Sequence, residues 1–519
     1  MKTENTGSSS SPDNTQTIAR NSFWYGLELF VSLGASFLTS VAVLRVFGPA
    51  RLSYYQYIVW LTNVTIAVGS FGLPATTRKY MAEYLNRGEP GVARATYLAT
   101  LKIQAYIALG ASAVALGLVL WLGDPRQLVV SVLLVAAMAP RIVASIPSMA
   151  NNAAEVMRRN TGPSLAGGIT TTALTMFGLL VKWDLVGVAA AVVVGNFLEC
   201  GLKLRSVERW QGSVARGVVS PELKRRMFTY SGQGLALMLL NVVVWDKSDI
   251  VILKALNNDP RQITFFSVAF NLTERVLMIP VSFGTSLAAT MMAQYGRGQA
   301  RLKEMTVDGA RYALLMSLPL LLGMACLSPL VPLLYREDCR PMITTLAIVA
   351  LFAIPKALVA APTMLLQATE RQGFLIWWGC LCGVVDIVLD IVLTPRHGAS
   401  GAAIANGSAQ AMAALGIWIY AWKINGLDLR LPDFGRIAVS GAIMSAGVLA
   451  FIHMVPGYAG MFGSIAIGGA LWVIALRVTG ALRPQDMSRF VSVGGQLPAA
   501  VRPHWKRLLE WLAPADAAA

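Results

Sequence analysis

The sequence predicts an all-α polytopic membrane protein of about fourteen spans: two parallel six-helix repeats around a central cavity, plus two C-terminal helices. Three observations carry this. Only 13% of the 519 residues are charged and 55% are hydrophobic, where a soluble chain carries about 25% charged residues. Apolar runs of about 20 residues, the length that crosses a hydrocarbon core as a helix, recur from end to end. The chain also repeats itself at a nearly constant spacing.

Inside hydrocarbon every backbone N–H and C=O needs an internal partner, so a span is a helix or part of a closed barrel. The apolar runs, such as 109–122 and 128–139, are continuous rather than alternating, which argues against a barrel. The first six expected spans are 23–45, 52–74, 96–122, 127–150, 162–182 and 185–202. The next six are 228–254, 263–290, 312–334, 342–367, 374–394 and 400–422, and the extra pair is 437–455 and 460–478. External loops are short (47–51, 123–126, 183–184, 255–262, 335–341, 395–399 and 456–459), too short for an outer domain.

The expected domain plan follows. A disordered tail over 1–20 precedes bundles over 21–215 and 216–425, an extra helix pair over 426–480 and a cytoplasmic tail over 481–519. The Ser-, Thr- and Asn-rich start is not a cleavable signal, because the first apolar run leads straight into further spans. The segment 504–512 reads equally as a solvated tail or as an amphipathic helix on the inner leaflet, with Trp505 and Trp511 inward. Trp24, Tyr25, Tyr54, Tyr55, Trp121, Trp377 and Trp422 cluster near expected span ends, as belt residues do.

The net charge of +16 raises nucleic acid as a partner, and the placement of the charges decides against it. With the N-terminus inside, 30 of the 43 basic residues fall in cytoplasmic loops or at inner span edges. That is the positive-inside bias, with both termini cytoplasmic and anionic lipid as a further attraction. Five basic residues fall within spans: Arg45, Arg141, Lys247, Arg275 and Lys356. The five cysteines (Cys200, Cys326, Cys339, Cys380, Cys382) are scattered, and they imply apolar packing rather than a disulfide framework or metal site.

The repeat is visible in three ordered matches. Ala82-Glu83-Tyr84 and Arg87-Gly88 return as Ala293-Gln294-Tyr295 and Arg297-Gly298. Pro140-Arg141, Pro147-Ser148-Met149 and Glu155 return, all 215 residues later, as Pro355-Lys356, Pro362-Thr363-Met364 and Glu370. Gly187-Val188-Ala189-Ala190-Ala191 matches Gly401-Ala402-Ala403-Ile404-Ala405. A unit of six spans is even, so both copies keep one orientation and are related by an axis along the membrane normal, an arrangement suited to alternating access.

From about residue 20 to 425 the chain resembles the Wzx-type polysaccharide and oligosaccharide flippases of the multidrug/oligosaccharidyl-lipid/polysaccharide exporter superfamily. The resemblance rests on Arg45-Val46-Phe47-Gly48-Pro49, on Tyr54-Tyr55, and on Phe71-Gly72-Leu73 running into Arg78-Lys79-Tyr80-Met81-Ala82-Glu83-Tyr84. It continues in Asp249-Ile250-Val251-Ile252-Leu253-Lys254 and in the stretch from Leu389-Asp390-Ile391 through Thr394-Pro395-Arg396-His397-Gly398 to Ala405. Family members carry a Gly a few residues after the Gly-Pro turn, where this chain has Ser53. The resemblance implies flipping or export of an undecaprenyl-pyrophosphate-linked oligosaccharide or polysaccharide in a bacterial inner membrane, by a monomer with no cofactor and H⁺ or Na⁺ as coupling ion.

The intramembrane polar residues are the candidate sites, since an ionised group at mid-span costs roughly 2.5–3.5 kcal/mol on insertion scales. Arg141 and Lys356 are repeat equivalents, each following a proline, where a kink opens local space. Two such cations facing one cavity suit a diphosphate. The other reading is an ion pair, with Asp246, Asp386 or Asp390. Lys247 and Arg275 complete the expected anion-binding set, and one of Glu274 and Arg275 is expected to pair with a neighbour. Asp246 and Asp249 share a helix face and could bind the coupling ion, or the segment could simply sit at the wet outer interface.

Two rivals were weighed. A multidrug antiporter would want an acidic cavity for cationic drugs, whereas the mid-membrane charges lean basic. A membrane glycosyltransferase or polymerase needs an acid/base pair beside a large outer loop, and the longest external loop has about eight residues. No Walker motif, metal cluster or nucleophile triad is present in the sequence.

Overall fold

The computed structural model describes residues 12–122, 124–156, 158–245, 248–294, 299–369, 371–483, 486–487, 502–503 and 506–507. Asp246, Lys247, Glu370, Trp505 and Trp511 lie outside the described residues. The chain divides into two compact units, Met1–Val46 with Tyr57–Leu239 and Phe47–Gln56 with Leu240–Ala519.

Unit 1 is built from α1 (Pro12–Gly69) apart from Phe47–Gln56, α2 (Leu73–Asn86), α3 (Pro90–Leu122), α4 (Leu128–Ala136), α5 (Met138–Ala153), α6 (Arg158–Leu180), α7 (Leu185–Gln211) and most of α8 (Pro221–Trp245). Helix α1 starts at Pro12, so residues 12–20 of the expected disordered tail are helical. The fixed φ of proline suits the first helical position. At 58 residues α1 would run about 87 Å, nearly three times a hydrocarbon core. It is two helices joined at Gly48, whose φ of 72° and ψ of 167° are not helical. Pro49, with no N–H to bond backward, fits at the start of the second.

Unit 2 holds α9 (Asp249–Leu256), α10 (Arg261–Gln294), α11 (Gln299–Leu327), α12 (Val331–Leu334), α13 (Met342–Leu358), α14 (Ala360–Ala368), α15 (Gln372–Asn425), α16 (Leu431–Met454) and α17 (Gly457–Val478). Helix α15 breaks at Gly398, with φ 56° and ψ −132°. A Cβ there would stand 2.5 Å from Oε1 of Gln262, so glycine is required twice over. Ten segments of the described residues are long and apolar enough to cross a membrane. The two longest contain the Gly48 and Gly398 breaks, so each is a pair of helices rather than one. Helices α8 and α10 occupy the expected seventh and eighth spans. The all-α polytopic fold is therefore present.

The expected fourth and tenth spans are each broken in two, and a proline explains each break. Pro140 cannot donate to the carbonyl of Ala136, and α4 ends there. Pro362 stands in the same relation to Leu358, the last residue of α13. The prolines at work are not repeat equivalents: Pro147 stays inside α5 and Pro355 inside α13. Arg141 consequently follows its break, in the first turn of α5, while Lys356 precedes its break, in the last turn of α13. The repeat spacing survives at the other end, since α5 and α14 finish at Ala153 and Ala368, 215 residues apart.

In unit 1, α5 is packed by α2, α3 and α7, and α6 lies along α7. Glycine permits that last approach: a Cβ on Gly167 would stand 2.9 Å from the carbonyl oxygen of Gly195, and one on Gly195 1.8 Å from Oγ1 of Thr171. In unit 2, α11 is shared by α10, α13, α14, α16 and α17. Arg311 of α11 is fully buried and grips the segment beyond α17, donating from Nη1 and Nη2 to the two carboxylate oxygens of Asp486 at 3.0 and 2.7 Å. Arg483 pairs with Asp308 at 3.1 Å and with Asp433. Arg311 and Arg483 thus fasten the segment just beyond α17.

Candidate functional site

Helix α5 presents Arg141, Ser145 and Ser148 on one face, at spacings of four and seven. That face lines a cavity of about 490 Å³ inside unit 1, closed by Ser164, Gly167 and Thr171 of α6 and by Asn196, Glu199 and Lys203 of α7. Asn196 ties α7 to the kink, its Nδ2 donating to the carbonyl of Ala137 at 3.0 Å. Glu199 is occupied on two sides: Lys203 Nζ lies 2.5 Å away, one helical turn on, and Ser164 Oγ donates to it at 3.1 Å. Arg141 donates from Nη1 to Asn63 Oδ1 at 3.0 Å, and its side chain is otherwise exposed. One of the five guanidinium donors is thus committed to a neutral acceptor. Two cations and one carboxylate leave the cavity net positive amid hydroxyls, and hydroxyls hydrogen-bond an anionic or a sugar-like ligand equally well.

In unit 2, Lys356 is not an isolated cation. Its Nζ donates to Glu274 Oε1 at 2.7 Å and sits 5.5 Å from the ring centre of Phe270. Glu274 is the member of the Glu274-Arg275 pair that finds a neighbour, and Arg275 forms no ion pair among the described residues. Sequence reasoning had considered Asp386 and Asp390 as partners for Arg141 or Lys356. They instead gather with Asp249, all three nearly inaccessible (0%, 2% and 1% exposed).

Contact between α9 and α15 assembles this acidic cluster. Asp386 and Asp390 lie one turn apart on α15, and the carboxyls of Asp390 and Asp249 are within hydrogen-bonding reach. Asn406 Nδ2 donates to Asp249 Oδ2 at 3.1 Å, Gln410 braces Asn406 at 2.8 Å, and Thr394 Oγ1 donates to Asp390 Oδ1 at 2.9 Å. Oδ1 of Asp249 and of Asp386 are buried with no hydrogen-bond partner among the described residues. Three carboxylates cannot all ionise together in a low dielectric, so the cluster must take up positive charge, as protons or a small cation. Among the described residues no group of His, Cys, Asp or Glu is arranged as a metal-ion centre.

The architecture has known counterparts. The lipid II flippase MurJ, in an inward closed conformation, superposes with a TM-score of 0.68 over 88% of this chain and 98% of its own, at 14% identity. The fold is that of the MurJ and MATE transporters. An inward-facing multidrug-resistance MATE transporter of the MOP superfamily shares it at TM-score 0.64 and 13% identity, covering 76% of this chain and 94% of its own. So does a MOP-superfamily transporter from Pyrococcus furiosus, described by the reversed polarity of its binding pocket (TM-score 0.59, 13% identity, 79% and 96% covered). No protein-family model and no curated protein sequence matches the chain.

Several site residues escaped the sequence reading. Lys203 falls one residue past the expected sixth span, yet Glu199 and Lys203 four apart at the end of an apolar run mark an ion pair. Asp386, Asp390 and Thr394, each one turn from the next, form a polar stripe in an otherwise apolar helix. Neither signal reveals which element faces the stripe.

Proposed function

We propose that the chain flips or exports a lipid-linked oligosaccharide or polysaccharide, carried on undecaprenyl pyrophosphate, across a bacterial inner membrane by alternating access. The observation that supports this reading is the net-positive, hydroxyl-lined cavity around Arg141. The guanidinium would take a phosphate oxygen of the carrier, and the serines and Asn196 would meet sugar hydroxyls. Within unit 2, Arg275 and Lys356 are assigned to binding of an anionic ligand, and Lys247 remains assigned by its sequence position alone. Asp249, with Asp386 and Asp390 added and Asp246 kept from the sequence, is assigned to the coupling H⁺ or Na⁺.

The test is reconstitution of the full chain in vesicles holding a fluorescent undecaprenyl-pyrophosphate oligosaccharide, with outer-leaflet appearance followed under a Na⁺ or pH gradient. Transport that depends on one gradient supports the reading. The buried acidic cluster favours a second reading, export of cationic drugs by ion exchange. Gradient-driven efflux of a cationic dye with no flipping of the lipid-linked sugar would establish that alternative and overturn the first.

A further inference from the structure

The most basic end of unit 1 carries a second cavity, of about 440 Å³, where α2 meets the start of α8. Lys79, Arg225 and Arg226 line it with Thr229 and Tyr230, against one carboxylate, Glu222. Tyr80 is buried against Leu223 and Met227 and meets the edge of Tyr230, with ring centres 6.1 Å apart at 85°. Those rings hold the cations. Lys79 Nζ stands 4.0 Å from the centre of Tyr230 and 5.3 Å from that of Tyr80, and the Arg226 guanidinium is 5.4 Å from Tyr80. A ring face fixes a cation without cancelling its charge, so the positive potential stays available to a ligand. Glu83 is shared: its Oε1 pairs with Arg87 at 2.6 Å and its Oε2 with Arg226 at 3.6 Å, so one carboxylate is divided between two guanidiniums.

The surroundings specify the rest of the ligand. Phe228, one residue before Thr229, is 71% exposed beside Phe71, with ring centres 6.4 Å apart, and Val218 is 83% exposed. A site with three cations, a hydroxyl and an adjoining bare apolar surface fits a molecule with an anionic phosphate at one end and hydrocarbon at the other.

We propose that this cavity binds the phosphate of an anionic phospholipid, with Lys79, Arg225 and Arg226 on the phosphate oxygens and the acyl chains along Phe228. The occupant is a bilayer lipid, and the site is separate from the cavity around Arg141.

Native mass spectrometry of the purified full chain in phosphatidylcholine-type detergent, titrated with phosphatidylglycerol, tests this. Removing one near-surface cation should weaken retention about fivefold, and the Lys79→Gln/Arg225→Gln pair about 30-fold. The charge-preserving pair Lys79→Arg/Arg225→Lys should retain the lipid within about threefold, since the guanidinium and ammonium charges are equal. Phe228→Ser should weaken phosphatidylglycerol and leave inorganic phosphate binding unchanged. Unaltered retention by the neutral pair would overturn the proposal, as would equal loss in the charge-preserving pair. Inorganic phosphate that displaces phosphatidylglycerol at equal concentration would overturn the lipid assignment in favour of a soluble anion.

Discussion

Lys356 Nζ lies 2.7 Å from Oε1 of Glu274, and its ammonium also faces Phe270. A cation that by sequence looks free to receive substrate is therefore already half-compensated when the site is empty. Lys356→Ala would strand the Glu274 carboxylate, at a cost of about 1–3 kcal/mol for a charged partner left unmade. Adding Glu274→Gln should recover part of that loss, measurable as a non-additive cycle in thermal unfolding in one detergent. Strictly additive single effects would show that the pair is not coupled. Lys356→Arg should keep more transport than Lys356→Ala, because it keeps the charge.

Arg141 presents the opposite case. Its one hydrogen bond among the described residues, to Asn63, leaves little structural work to lose. Arg141→Ala is expected to change stability by less than about 1 kcal/mol, yet to lower transport about tenfold or more, the loss expected for one hydrogen bond to a charged group. Polymer output in a strain lacking its own transporter, normalised to membrane protein level, measures this. Full output from the Arg141→Ala/Lys356→Ala double variant would reassign both residues to structure.

The acidic cluster yields a prediction of unusual sign. Asp249→Asn keeps the amide network in reach while removing one of three crowded charges. It should leave stability unchanged or raise it by about 1 kcal/mol, since relieving a buried like charge is favourable. The same variant should abolish the response of transport to a Na⁺ or pH gradient. Retained coupling with the same ion stoichiometry would remove Asp249 from the coupling role.

Beyond α17, Asp486 gives a pH signature. Burial alone would raise its carboxyl, but hydrogen bonds from Arg311 and Tyr312 outweigh it and hold the group below its ordinary value. A depressed carboxyl stabilises the fold fully above its unfolded value of about 3.9, and that stabilisation is lost as pH falls through the folded value. Wild-type unfolding should therefore become steeply easier below about pH 4, and Asp486→Asn should flatten that dependence. Arg311→Ala, which strands a buried carboxylate, should cost about 3–5 kcal/mol in denaturant unfolding. A loss below about 0.5 kcal/mol, the range of an ordinary surface change, would show that the tail is not anchored there.

The all-helical membrane class, the Gly48 and Gly398 breaks and the repeat spacing are local in origin, which is why they are legible in the chain. Hydrocarbon forces every apolar run of sufficient length into a helix, and glycine followed or preceded by proline marks where it must stop. Arg141 stands out as a candidate for the same reason: a charge in the middle of an apolar run is costly wherever it packs. The sequence also marked Pro140 and Pro355 as equivalents. It could not tell that α4 breaks ahead of Pro140 while α13 runs through Pro355 and breaks ahead of Pro362. Which proline a helix tolerates depends on the packing around its freed carbonyl.

What the sequence alone determined is thus the membrane class, the order of the helices and the presence of costly charges within them. Only the tertiary structure decided which charges meet. Glu274 lies 82 residues from Lys356 and Asp249 157 residues from Asn406, and nothing in either local segment encodes the partner. Helix periodicity fixes the face on which a side chain stands. The neighbour that face meets is set by the close packing of whole helices, which is a property of the assembled unit.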